Sequence, residues 1–409
     1  MDIHTLPNGL AVVAENIPHL QSVAYALWIP AGTLLDREKH VGTSLVLSEL
    51  TSRGAAGFSS RELSDQFDMH GIRHSEGAEL ESAFYRGQLL SEHLPKALEL
   101  VAMMVQQPAL PEEEIPALQR LRMQELSALN DNPARRVMVE LGNRYFPAPY
   151  NRGTLGTEEG LSACNAALLR EEWQRLYKPE GSVLSVAGSV DPSEVYQLAE
   201  RVFGNWQGQT TDKPAFDALP ARGMHHVADE SAQLQIALSY PAPAFDHEHY
   251  YTAKVISQLL SGGMFGRLFI EVREKRGLCY SVYAYHSATI NWGITTAYAG
   301  TTPERAQETL DVTLAELRKL APANIEADEL QRAKANLKAS LVMAQESAGS
   351  RATSNAGDWW LTRRVRSLDE VSAAVDRVGL DDIDACMAEF PVVDPLVVTL
   401  GPRELELGA

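Results

Sequence analysis

The side chains that could bind a metal or move a proton are scattered along this sequence. His247 and His249 flank Glu248, but residues two apart point to different faces of a helix, so they read as solvated loop histidines. His225-His226 stands before the first strand expected in the second half, and His70 and His74 have helical spacing with Gly71 between them. That glycine is a stop signal, which places His74 beyond the helix. There is no G-x-S-x-G motif and no neighbouring Cys and His. The run Ser261-Gly262-Gly263-Met264-Phe265-Gly266 is glycine-rich but lacks the Lys-Ser/Thr that a nucleotide-phosphate loop requires. Cys164, Cys279 and Cys386 are widely spaced and odd in number. They suggest neither a disulfide framework nor a metal pair, and point to a reducing compartment.

The elements that must position any site follow from periodicity and punctuation. Pro7-Asn8-Gly9 turns a hairpin between Ile3–Leu6 and Leu10–Ala14. Val23–Ile29 is a strand, and Val41–Gly54 a helix with Leu45, Val46 and Leu47 turned inward. Ser60–Met69 is a helix capped by Ser59 or Ser60 and stopped at Gly71. Ile72–Leu90 is strand-like, Leu94–Gln107 is amphipathic, and Glu112–Leu129 is a helix broken by the Asn-Asp-Asn-Pro at 130–133. Val183–Val186 is a strand ending at Gly188. Further on, Gly262–Gly266 turns into a short helix over Arg267–Arg276, Gly277 suits a left-handed cap, and Leu278–Tyr285 alternates as a strand. Lys275 and Arg276 sit at that helix's C-terminal end, where the dipole favours cations.

The 409 residues suffice for two or three domains. Thirty-six basic against 54 acidic residues give a net charge of −18. That balance argues against a nucleic-acid or anionic-membrane partner. The N-terminal stretch resembles neither a secretory signal nor a transit peptide, and no apolar run is long enough to span a bilayer, so a soluble cytoplasmic protein is expected. Residues 207–222 are polar, Pro-containing and aperiodic, and beyond them the pattern restarts. YALWIP at 25–30 matches IALSYP at 236–241, Gly87 matches Gly300, and SVLSVAG ending at Gly188 matches PLVVTLG ending at Gly401. Near-constant offsets of this kind mean duplication. The expected architecture is α+β, with two similar domains (1–210 and 223–409, joined by 211–222), each a mainly antiparallel sheet covered by helices.

GTEEGL at 156–161, LYKPEGSVLSVAGSV at 176–190, VFGNW at 202–206 and LLSGGMFGRLFIEVREKRGLCYSVYAY at 259–285 carry a resemblance to the insulinase and mitochondrial-processing-peptidase family of zinc peptidases. It spans nearly the whole chain and implies the same two-domain arrangement. In that family the helix beginning at Gly42 continues with His, Glu and His, which hold zinc and activate water. Here the corresponding residues are Leu45, Ser48 and Glu49. Glu125 matches the third ligand position. Glu49 and Glu125 alone would hold zinc poorly and suit a harder ion loosely. More simply, they are exposed helix-face residues.

The resemblance further implies that Arg273 and Tyr280 face substrate, donating hydrogen bonds to its carbonyls and to a developing oxyanion. Gly262 and Gly263 resemble a peptide-contacting glycine loop. The implied function is a non-catalytic, peptide-binding subunit that binds no cofactor of its own. Its partner would be a zinc-bearing sister chain in a heterodimer, with a homodimer in the sister's absence. The alternatives are a non-proteolytic peptide-binding or scaffold protein, and a hydrolase with a rearranged metal site.

Overall fold

The computed structural model describes residues 2–216, 221–320, 324–344 and 346–407. The chain opens with the hairpin β1 (Asp2–Thr5) and β2 (Ala11–Asn16), then β3 (Ser22–Ile29) and helix α1 (Thr43–Leu50). The short ribbon β4 (Gly54–Ala55) and β5 (Phe58–Ser59) leads to α2 (Ser60–Met69), β6 (Arg73–Ala78), β7 (Ala83–Leu90) and α3 (Leu94–Gln106). Next come α4 (Ile115–Ser127), α5 (Pro133–Tyr145), α6 (Glu158–Ala163), α7 (Ala166–Leu176), β8 (Val183–Gly188) and α8 (Pro192–Phe203). The second half begins with β9 (Gly223–Ala228), β10 (Leu234–Ala242) and α9 (Tyr250–Ser261). A π-helical turn over Phe269–Glu274 precedes β11 (Cys279–Ala288) and β12 (Gly293–Thr301). The rest comprises α10 (Ala306–Arg318), α11 (Ala327–Ala344), α12 (Ala348–Thr362), α13 (Leu368–Arg377), α14 (Leu380–Glu389) and β13 (Leu396–Gly401).

Local chemistry accounts for most of these boundaries. Asn8 accepts the Leu10 N–H and donates to the carbonyls of Phe203 and Trp206, while Gly9 takes φ +91°. Ser59 and Glu62 form a reciprocal capping box on α2, and Gly71 at φ +59° ends that helix region. Two boundaries differ from expectation. The helix expected over 41–54 is confined to Thr43–Leu50, because Gly54, at φ +128°, already belongs to β4. The short helix expected over 267–276 is π-wound at Phe269–Glu274.

The chain forms two compact units, and neither is one continuous stretch. The first takes the residues up to Ala128, Ala148–Ala215 and Ala344–Val365; the second takes Leu129–Pro147, Phe216–Met343 and the residues from Arg366. This differs from a division at 211–222 by two exchanged helices, α12 in the first unit and α5 in the second. Lys213 pairs with Glu81, and the Pro214 carbonyl accepts from Tyr150. That part of the expected linker is therefore anchored in the first unit, while 217–220 lie outside the described residues.

In the first unit the sheet order is β1-β2-β8-β3-β7-β6, antiparallel except for the parallel pair β2/β8. In the second it is β11-β12-β10-β13-β9, antiparallel except for β13/β9. The large apolar core of the first unit joins Leu27 and Tyr85 of the sheet to Val46, Leu98, Val101 and Phe203. The opposite face of that sheet, with Ala24, Ala26 and Val183, packs on Ala352 and Ala356 of α12. In the second unit Ala237 and Val398 meet Val137 and Leu141 of α5 in the same way. Each exchanged helix carries an arginine in its first turn. Arg351 makes two bonds to Glu15, which Asn355 also holds, and Arg136 pairs with Asp229.

Candidate functional site

Helix α1 is set by its entry. Gly42 adopts φ +114°, and a Cβ there would meet Leu161 Cδ2 at 2.8 Å. The buried Asp36 carboxylate accepts the Gly42 N–H (2.7 Å), the Ser44 N–H (3.1 Å) and the Ser44 hydroxyl (3.2 Å). Burial pushes Asp36 up to about 7 against the pull of those bonds and of Arg152. Leu45 is buried, and the buried Ser48 donates back to the Leu45 carbonyl at 3.0 Å. Neither points a ligand atom outward.

Glu49 is no exposed helix-face residue. Its side chain is only 20% exposed, and the guanidinium of Arg122, 14% exposed, grips it. The same guanidinium bonds Glu125 at 2.7 Å, so a single arginine bridges the two carboxylates. Burial raises the Glu49 pKa, opposed chiefly by the charge of Arg122. Where two glutamates converge, the chain supplies its own cation. This donor set does not fit zinc: it has no imidazole, and the space between the carboxylates is filled by a positive group. Sequence reasoning missed Arg122. The available signal was its position three residues before Glu125, on the same face of α4.

In the second unit, Arg273 lies on the π-helical turn, with its guanidinium 5.1 Å from the centre of the Phe269 ring. Lys275 and Arg276 are both paired to Glu271, and Arg273 is exposed beside them. Gly277, at φ +62°, closes the turn by donating to the Arg273 carbonyl, as a left-handed cap should. Tyr280 follows at a β-bulge: Cys279 pairs with Thr301 and Ser281 with Gly300, leaving Tyr280 as the extra residue. A bulge re-aims its side chain, and Tyr280 is 73% exposed. Gly262 ends α9, donating to the Gln258 carbonyl, and Gly263 takes φ +85° with open space around it. Ser261 pins this loop to the sheet edge by accepting the Ala284 N–H at 2.6 Å.

Residues 11–158 match the family pattern described as insulinase (peptidase family M16), and 163–337 match the one described as peptidase M16 inactive domain. An uncharacterized zinc protease of Bacillus subtilis is 30% identical over 98% of both chains. The chain belongs to the M16 peptidase family. An uncharacterized zinc protease of Rickettsia bellii is 28% identical over 99% of this chain and 98% of the relative. Among solved structures, a peptidase M16 inactive domain from Pseudomonas fluorescens superposes with a TM-score of 0.91 at 21% identity, covering 99% of this chain and 98% of that one. A Helicobacter pylori protease gives 0.87 at 20%, covering 98% and 99%. These two likenesses establish the fold.

As an M16 chain, this protein has a leucine, a serine and a glutamate at 45, 48 and 49, and its histidines lie elsewhere. His247 and His249 lie in the turn before α9, partly buried rather than free in solvent, and both turn to Glu389, at 3.1 and 3.7 Å. His225 and His226 lie within β9 rather than before it, and His226 bonds Thr399. His70 caps α2, and His74, beyond it, stacks on Phe67 at 3.9 Å. Among the described residues no three His, Cys, Asp or Glu side chains are grouped to hold a metal, and no helix is long and apolar enough to cross a membrane.

Proposed function

We propose that this M16 chain is the non-catalytic, substrate-binding half of a heterodimeric zinc metallopeptidase acting in the cytoplasm. The zinc would be carried by a homologous sister subunit. The observation that carries this reading is the Glu49–Arg122–Glu125 bridge, a metal position held by an arginine. Arg273 and Tyr280 are exposed donors of the second unit, set by a capped turn and a bulge. Their role is to donate hydrogen bonds to peptide carbonyls and to a developing oxyanion, where a charged donor is strongest. The open space at Gly263 lets an extended peptide approach the backbone closely beside Gly262.

The test is peptidase activity of the purified chain alone and after co-expression with a zinc-bearing homologue. The chain alone is inactive and the pair hydrolyses peptides. Arg273→Ala or Tyr280→Phe then lowers kcat of the pair. Unchanged turnover in both variants removes the role assigned to them, and stoichiometric zinc in the isolated chain overturns the assignment as a whole.

A further inference from the structure

In the second unit α5 packs on β10 and β13, and the same face of the sheet continues outward over β12 to the edge strand β11. Register places Tyr298 opposite Ala237, and Tyr283 opposite Tyr298 in turn. Tyr285, two residues further along β11, shares their face. Tyr298 is buried, whereas Tyr283 and Tyr285 are 37% and 39% exposed.

These rings form a shelf that is fixed from behind. The Tyr298 hydroxyl donates to Gln235 at 2.6 Å, and Tyr283 stacks on the Tyr298 ring with centroids 5.0 Å apart. Tyr285 follows along the strand, 6.2 Å from Tyr283 and tilted 30° to it. Opposite Tyr285, the Thr296 hydroxyl is bonded to Ser239 at 2.8 Å. No charged side chain stands on this face of β10, β11 or β12, although the chain as a whole carries −18. Burial raises the phenols of Tyr283 and Tyr285, so the shelf is neutral at neutral pH.

The fold does not need these two exposed rings. Ala26 and Ala237 are matching residues of the duplication. Counted outward from them, Arg86 and then Ser75 stand where Tyr298 and then Tyr283 do. By the same register Gly77 stands where Tyr285 does. A serine and a glycine thus build the equivalent edge of the first sheet, and half-exposed aromatic side chains that packing does not require mark a surface that binds. Neutrality and geometry name the occupant. An ionised side chain set here would lose hydration without gaining a counter-ion. A single planar ring, in contrast, can lie within aromatic-pair distance of both exposed tyrosines at once. Tyr280 stands near the start of the same strand, so the shelf adjoins the pair assigned to the peptide carbonyls. We propose that Tyr283 and Tyr285 form a subsite for an aromatic side chain of the bound peptide. The inference rests on the peptide-binding reading above and names its substrate class: peptides with an aromatic residue beside the segment held by Arg273 and Tyr280.

The experiment uses the full chain and decapeptides of Gly, Ser and Gln with one central test residue, which is Phe, cyclohexylalanine, Lys or Ala. Each carries an N-terminal trifluoroacetyl group, and affinity is read from fluorine NMR line widths. The Phe peptide binds about tenfold more tightly than the Ala peptide, and about threefold more tightly than cyclohexylalanine, which has similar apolar bulk and no π-face. Tyr283→Ala removes the Phe advantage, and Tyr283→Phe keeps it. Equal affinity for Phe and cyclohexylalanine would make the shelf a plain apolar patch and overturn the inference. Lys ahead of Phe would make it a cation site and overturn it as well. So would equal affinity for all four peptides, or binding of none. A Phe preference with no gain of activity beside the zinc-bearing homologue would leave this inference standing and remove the heterodimeric peptidase. Turnover by the pair without any Phe preference would remove this inference alone.

Discussion

The two units share one plan, down to an arginine in the first turn of an exchanged helix, yet their corresponding edge strands differ. β6 begins with Arg73 and His74 beside a cleft that Arg86 also lines, and α1 packs on it and carries Glu49 of the Glu49–Arg122–Glu125 bridge. β11 begins with a bulge and carries exposed aromatic side chains at Tyr280, Tyr283 and Tyr285. Duplication preserved what covers the sheet and let the rims diverge. The reason is physical. Side chains inside each layer are constrained by close packing, and an edge residue is constrained only by what it binds.

That contrast can be broken first at Gly87. It pairs with Tyr25 in the first sheet, as Ala299 pairs with Ile236 in the second. Gly87→Val forces a side chain into the buried tyrosine ring and should remove about 3 kcal/mol by urea denaturation. Ala299→Gly should remove only about 1 kcal/mol. Next is Arg122→Ala, which leaves two facing carboxylates without their cation. A loss of about 2 kcal/mol is expected, and adding Glu49→Gln should restore part of it. No loss would mean that the bridge contributes nothing.

The two clamps come third. Arg351 and Glu15 are 8% and 18% exposed, against 26% and 20% for Arg136 and Asp229. Arg351→Ala should therefore destabilise by about 2 kcal/mol and Arg136→Ala by about 1. A reversed order would end the comparison. Smallest is a pH effect confined to the second unit. Burial, with Lys254 nearby, lowers His286 to about 4, while its Nε2–H donates to the Pro243 carbonyl. At this group the native state thus binds fewer protons than the unfolded chain between the ordinary histidine value and 4, so its contribution to stability falls as the solution is acidified through that window, opposite in sign to that of the raised Asp36 in the first unit. His286→Gln should flatten the fall in a series of thermal melts.

The framework of both units was legible because it rests on local chemistry and repetition. The Asn8-Gly9 turn, the Ser59 cap and the α+β alternation all appear where the residues place them. Register also supports two of the duplication anchors. Tyr25 lies opposite Val186 and Ile236 opposite Thr399, consistent with the Pro30/Pro241 and Gly188/Gly401 matches. The Gly87/Gly300 match is one residue out, because Ala299 is the partner of Ile236. There the glycines answer different neighbours, Tyr25 in one unit and Tyr298 with Gln235 in the other. What was not legible is long-range. Nothing in the periodicity of α5 or α12 says which sheet it covers, and Arg122 acquires meaning only when α1 and α4 are packed. A bulge at Tyr280 leaves no mark in an alternating strand.

The exchanged helix α12 also bears on biosynthesis. The first sheet is complete in its strands once β8 has left the ribosome, but Ala24, Ala26 and Val183 have no cover until residues 348–362 follow. At ordinary elongation rates that interval is on the order of ten seconds. Through it a nascent chain displays an apolar sheet face, an obligate opportunity for a chaperone and a hazard when one is lacking.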